Sequence, residues 1–309
     1  MTREELVAAL REVEAMDLPK EISFELEGLI GHPLTMKFPE YALAELTNRL
    51  KGSSEDSISM YLVNAFEEWV GKDQGAAGVW LDAQIAAGKF ESRALDGGNW
   101  LRKAFEGMLV SSLASTDPVA AARRLEAIPP ENRAGEFFGM VKPEGYAAFA
   151  DLVRAHLSRE DSLKALESQT FHFRDSYDDV TTYLEAIRAT PEEKARCVQT
   201  TARNHILNPI LNRHPADFPK MREWVDSVIP GSADSITGQV LGDQYVVARL
   251  GFPEASRLVR QYADAGGGDA VLVPFLESKW VGAYKESARG MAAGISDSES
   301  RERILKKLR

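Results

Sequence analysis

Apolar side chains in this chain return at steps of three and four residues along nearly its whole length, and that spacing confines it to helices. Trp100, Ala104, Phe105, Met108 and Leu109 form one such set. Others are Tyr146, Phe149, Val153 and Leu157; Val180, Leu184 and Ile187; Phe218, Met221, Trp224, Val225 and Val228; and Trp280, Val281, Tyr284 and Ala288. At about 100° per residue each set collapses onto one stripe, the width a helix needs to dock on a neighbour. A strand needs alternation instead, and the nearest run, Val271-Leu272-Val273, is cut off by Pro274. The expected fold class is therefore all-α.

The segment boundaries carry helix-start chemistry. Thr190-Pro191-Glu192-Glu193 offers a capping hydroxyl, a proline where its lack of an N–H does no harm, and a glutamate three residues after the cap. Asp117-Pro118, Thr2 with Glu5, Ser158 with Asp161 and Ser296 with Glu299 repeat the theme, and prolines 39, 143, 219 and 253 open new periodic segments. Most of the 14 prolines thus read as punctuation between helices of about 10 to 16 residues.

Three of these starts can be laid over one another. Asp73, Asp117 and Ser158 are each followed by a small residue at the fourth position (Ala77, Ala121, Ser162), a leucine at the eighth (Leu81, Leu125, Leu166) and an acid at the ninth (Asp82, Glu126, Glu167). The caps lie 44 and 41 residues apart. A fourth start at Thr190, 32 residues on, keeps only the cap and an apolar Val198. This helix-pair grammar resembles the α-solenoid superfamily, nearest in length to HEAT and armadillo repeats. The resemblance implies a right-handed superhelical stack of antiparallel helix pairs over residues 1–309 as one helical-repeat domain. In that scheme residues 1–50 are an N-terminal cap, 51–264 the array, and 269–309 the C-terminal helices beyond a glycine-rich joint.

Composition narrows the rest. The 309 residues carry 37 basic and 47 acidic side chains, a formal charge of −10, which disfavours wrapping nucleic acid. One cysteine, Cys197, cannot form an intrachain disulfide or a thiolate cage, and on a helix it reads as a core residue. No apolar run spans a membrane and the N-terminus lacks the order of a signal peptide, so the chain is expected to be soluble and cytoplasmic. Glu91 to Gly98 reads as a loop and Ala265-Gly-Gly-Gly-Asp269 as a linker.

The five histidines lack metal-ligand spacing, and no nucleophile elbow, phosphate loop or Cys-x-x-Cys is present, so no metal or cofactor is expected. His156 lies on an apolar stripe and is expected to be a hydrogen-bonded core residue, and the five tryptophans are expected as knobs between helices. His172-Phe-Arg-Asp-Ser-Tyr-Asp-Asp179 crowds an imidazole and carboxylates into one turn, making His172 and Asp175 the candidates for acid–base chemistry. The alternative is a solvated turn in which Asp178 or Asp179 faces a helix N-terminus. Residues 188–222 hold seven basic against three acidic side chains. Arg188, Arg196, Arg203 and Arg213 are the binding candidates there, for phosphates or an acidic peptide. Repeat architecture without catalytic spacing points to a non-catalytic protein whose curved helical surface holds another protein or peptide. An enzyme with a dispersed site near His172 and a nucleic-acid reader using 188–222 are the two alternatives.

Overall fold

In the computed structural model, which describes residues 1–16, 18–47, 57–91, 99–129, 133, 139–173 and 176–308, the described residues form helices and turns with no strand. They fall into two compact units, Met1–Gln169 and Thr170–Arg309.

Unit 1 contains α1 (Arg3–Ala15), α2 (Lys20–Lys37), α3 (Pro39–Thr47), α4 (Ser57–Lys72), α5 (Gln74–Ala86), α6 (Trp100–Thr116), α7 (Pro118–Ala127), α8 (Tyr146–His156) and α9 (Arg159–Gln169). Its core gathers Leu34, Leu43, Leu62, Phe66, Leu81 and Phe105, all without solvent exposure or within 2% of it. Phe66, Trp80, Phe90 and Phe105 pack ring on ring, Phe66 and Phe105 with centroids 4.5 Å apart. Helix α2 packs on α4, α4 on α6 and α6 on α8, with α3, α5 and α7 set beside them.

The capping chemistry is where the sequence placed it. Asp73 accepts from Ala76 N at 2.9 Å, Asp117 from Ala120 N at 2.9 Å and Ser158 from Asp161 N at 3.1 Å. Thr2 with Glu5 and Thr190 with Glu193 close reciprocal capping boxes. Counting from the three overlaid caps, Ala77, Ala121 and Ser162 are buried, and Leu81, Leu125 and Leu166 have no exposed surface. Val198, the corresponding residue after Thr190, is equally buried. The last start is shifted by one residue. Asp297, not Ser296, caps the final helix by accepting from Ser300 N, because Asp269 takes the backbone N–H groups of both Ser296 and Asp297.

Unit 2 contains α10 (Tyr177–Ala186), α11 (Pro191–Leu211), α12 (Phe218–Val228), α13 (Ala233–Leu241), α14 (Gln244–Leu250), α15 (Phe252–Tyr262), α16 (Gly268–Glu277), α17 (Lys285–Ala292) and α18 (Ser298–Lys307). Its tightest pairing is α13 with α16. There a methyl group at Gly238 would lie 2.3 Å from the Val271 carbonyl oxygen, so only glycine allows the two backbones to approach this closely. Gly145 in unit 1 has the same role, since a Cβ there would sit 2.7 Å from Ser115 Cα. The glycine triplet is divided: Gly266 turns the chain with φ of 114° and Gly268 opens α16 with φ of 46°.

Pro118, Pro191, Pro219 and Pro253 lie in the first turn of their helices as expected, while Pro33, Pro209 and Pro274 are the exceptions inside helices. One expectation is corrected: the stripe from Trp280 to Ala288 is not one helix. Residues Val281–Tyr284 form a tight 3-10 turn before α17, which leaves Trp280 53% exposed while Val281 and Ala288 are buried. Trp69, Trp80, Trp100 and Trp224 do pack against apolar neighbours, as expected of knobs. Val271 and Leu272 are buried on α16, helical as the spacing requires. The loop predicted from Glu91 to Gly98 lies, apart from Glu91, outside the described residues.

Candidate functional site

His172 ends a 3-10 turn, Thr170–His172, and is exposed, while Asp175 lies outside the described residues. Ser176 caps α10 by accepting from Asp179 N at 3.1 Å, and Asp178 and Asp179 occupy the first turn of that helix, where its N–H groups favour negative charge. No cluster of three or more His, Cys, Asp or Glu side chains able to hold a metal occurs among the described residues. His156 is not the core residue expected: it is half-buried, with Nδ1 3.3 Å from Oε1 of exposed Glu126. Cys197 is buried in α11.

The four candidate arginines of the basic window lie on α11 and at the corners flanking it. Arg196 and Arg203, both half-buried, stand two turns apart on α11, and Arg203 donates to Asn204 Oδ1 at 3.3 Å. Arg188 and Arg213 are exposed at the corners before and after that helix. Twenty-one residues at 1.5 Å each put those corners roughly 30 Å apart. Both corner arginines hold a left-handed backbone, with φ of 50° and 61°. Arg222, in the same window, is engaged: it pairs with Asp234 at 2.7 Å, donates to Thr237 Oγ1 at 3.0 Å and covers the Tyr262 ring.

Between these charges the structure assembles an aromatic ladder absent from any sequence motif. The Tyr177 ring lies between His205, with centroids 4.2 Å apart, and Trp224, at 4.5 Å, both nearly parallel to it. Trp224 Nε1 donates to Thr181 Oγ1 at 3.1 Å, and that hydroxyl donates back to the Tyr177 carbonyl at 3.0 Å. His205 Nε2 lies 3.3 Å from the Phe173 carbonyl. Burial, then the negative charge of Asp217, pushes the Tyr177 hydroxyl well above its ordinary range, so it stays protonated. The ladder joins α10, α11 and α12 into a rigid wall, which is a structural role.

Unit 1 carries concave sites. A cavity of about 470 Å³ is walled by α4, α6 and residues 139–142, with Val70, Met108 and Met140 beside Glu67 and Lys142. Burial first, and then Glu68, holds the Glu67 carboxyl above its usual range, while Glu68 lies 3.8 Å from Lys72. A broader cleft of about 610 Å³ is walled by α5, α6 and α7. Its polar centre is Arg124, whose Nε donates to Glu106 Oε2 at 2.8 Å and whose Nη2 reaches Asp82 Oδ1 at 3.0 Å. Glu106 is only 4% exposed, and burial lifts its carboxyl above the ordinary value of 4.5 against the opposing pull of Arg124. Asp82 is the acid nine residues after the first overlaid cap, and Arg124 belongs to the helix of the second. The bridge therefore ties two copies of the sequence pattern together.

No protein-family model, curated protein or solved structure matches this chain. Among the described residues no helix is long and apolar enough to cross a membrane.

Proposed function

We propose that this chain is a non-catalytic helical-repeat protein of the α-solenoid kind, a right-handed stack of antiparallel helix pairs whose curved face holds another protein or peptide. The observation that carries the reading is the shared register of three helix starts. A cap, a buried small residue four on and a fully buried leucine eight on recur at Asp73, Asp117 and Ser158. The even-numbered helices of unit 1 also meet in chain order, the neighbour-on-neighbour packing that repeat arrays use. Such stacks leave long helical faces that have no further helix to cover them, and those faces are what repeat proteins offer to partners.

The test is capture by the immobilised full chain from nuclease-treated and untreated lysates, followed by calorimetry with the purified candidate. Recovery of one protein in near-equimolar amount in both lysates, with saturable binding in isolation, is the expected result. Recovery of nucleic acid alone, and only without nuclease, would replace the reading with the one based on residues 188–222. Turnover of a small molecule by the purified chain would remove the word non-catalytic.

A further inference from the structure

The cleft walled by α5, α6 and α7 is lined by three guanidiniums and two carboxylates. Both carboxylates in it, Asp82 and Glu106, are bonded to Arg124. Half-buried Arg102 and exposed Arg123 line the same cleft without a side-chain hydrogen bond or close ion pair, Arg102 acting on Glu106 only through its charge at longer range. Arg102 Nε itself is sealed from solvent without a partner, so an acceptor in the cleft would meet the terminal nitrogens of that guanidinium.

We infer that this cleft is a binding site for a small organic carboxylate with an apolar body. Three guanidiniums against two carboxylates leave one positive charge, which a monoanion balances. The fork of a guanidinium matches the two oxygens of a planar carboxylate, and an unpaired arginine is the side chain best suited to that recognition. The remaining wall is hydrocarbon. Ile85, Leu113 and Ile128 face the cleft together with small alanines, so a bare inorganic anion would leave most of its surface unused. A volume of about 610 Å³ is in the range of small-ligand sites and far beyond the needs of one ion. Arg124, braced by Glu106 and Asp82, is the fixed post of the site, while Arg102 and Arg123 are the groups that take the anion. The assignment stands whether or not the helices also hold a macromolecule.

The test uses the full chain with octanoate, octylammonium and inorganic phosphate as probes, read by calorimetry and by the arginine Nε–Hε resonances. Octanoate is expected to bind saturably near one-to-one in the millimolar range or tighter and to shift the Arg102 and Arg123 side-chain signals together. Arg102→Gln is expected to weaken binding by about tenfold and Arg123→Gln by a smaller factor. Exposed Arg123 makes no bond within the protein, so Arg123→Gln should melt at the wild-type temperature without ligand, while Arg102→Gln, which removes a charge acting on Glu106, is compared with it by retained helix circular dichroism, which separates loss of site from loss of fold. Absence of saturable octanoate binding, or binding that both variants retain in full, overturns the assignment. Equal affinity for phosphate overturns the apolar part of it, and equal affinity for octylammonium overturns the anionic part.

Discussion

In unit 1 the even-numbered helices from α2 to α8 each pack on the next even-numbered one, whereas in unit 2 the tightest pairing joins α13 to α16, elements three places apart in chain order. Helix α11 likewise reaches past its neighbours to α14. The same grammar of capped, one-faced helices thus gives two kinds of packing. A stack of near neighbours spreads its stability over many similar seams, so damage to one seam stays close to it. A crossing between distant helices concentrates stability at one point, and both partners depend on it.

The largest effect is expected from the seam bridge of unit 1. Arg124→Met leaves Glu106 buried without its cation, at about 4 kcal/mol at neutral pH. Glu106 titrates above its ordinary value in the folded chain, so its protonated form is favoured by folding. The deficit of the variant should accordingly shrink as the pH falls toward 4.5 and grow as the pH rises through the folded-state value. Urea melts across that range check this, and a pH-independent deficit would mean that the Asp82 contact carries the bridge.

Next is Leu125→Ala, which removes a fully buried knob at about 3 kcal/mol. Hydrogen exchange should show the loss confined to α6, α7 and α8. Protection lost throughout Met1–Gln169 would break the comparison. Gly238→Ala should follow at about 2 kcal/mol, from the clash with the Val271 carbonyl. Here exchange should rise in α13 and α16 together, although some 30 residues separate them. The smallest effect is expected from Trp224→Phe, about 1 kcal/mol for the hydrogen bond to Thr181, with the ring stack on Tyr177 retained. Near-ultraviolet circular dichroism and thermal melting separate those two contributions.

The caps were legible because a cap is decided within four residues: Asp73, Asp117, Ser158 and Thr190 each meet a backbone N–H three positions ahead. The leucine knobs were legible because period alone tells which face is buried. Ser296 and Asp297 are adjacent capping residues, and the choice between them was made by Asp269, 28 positions before Asp297. Trp280 was misassigned because the stripe continues in sequence across a turn that breaks it in space. The cleft was hidden for a related reason. Arg102 and Glu106 stand four apart on α6, but Asp82 and Arg124 come from α5 and α7, and only packing makes them one group. The sole trace was the acid recurring nine residues after each cap, which had no meaning until Arg124 was seen to meet the first of them. The aromatic ladder had no sequence signal beyond its individual rings.

The two corners beside α11 carry a separate lesson. Arg188 and Arg213 each sit at φ values where a side chain with a Cβ is strained by about 1 kcal/mol and glycine is not. Glycine is plentiful elsewhere in the chain, so an easier residue for these corners was within reach. Each arginine thus makes its corner a small spring under tension. Arg188→Gly or Arg213→Gly would relax one of them, and the effect would be felt first at an end of α11, the longest helix among the described residues.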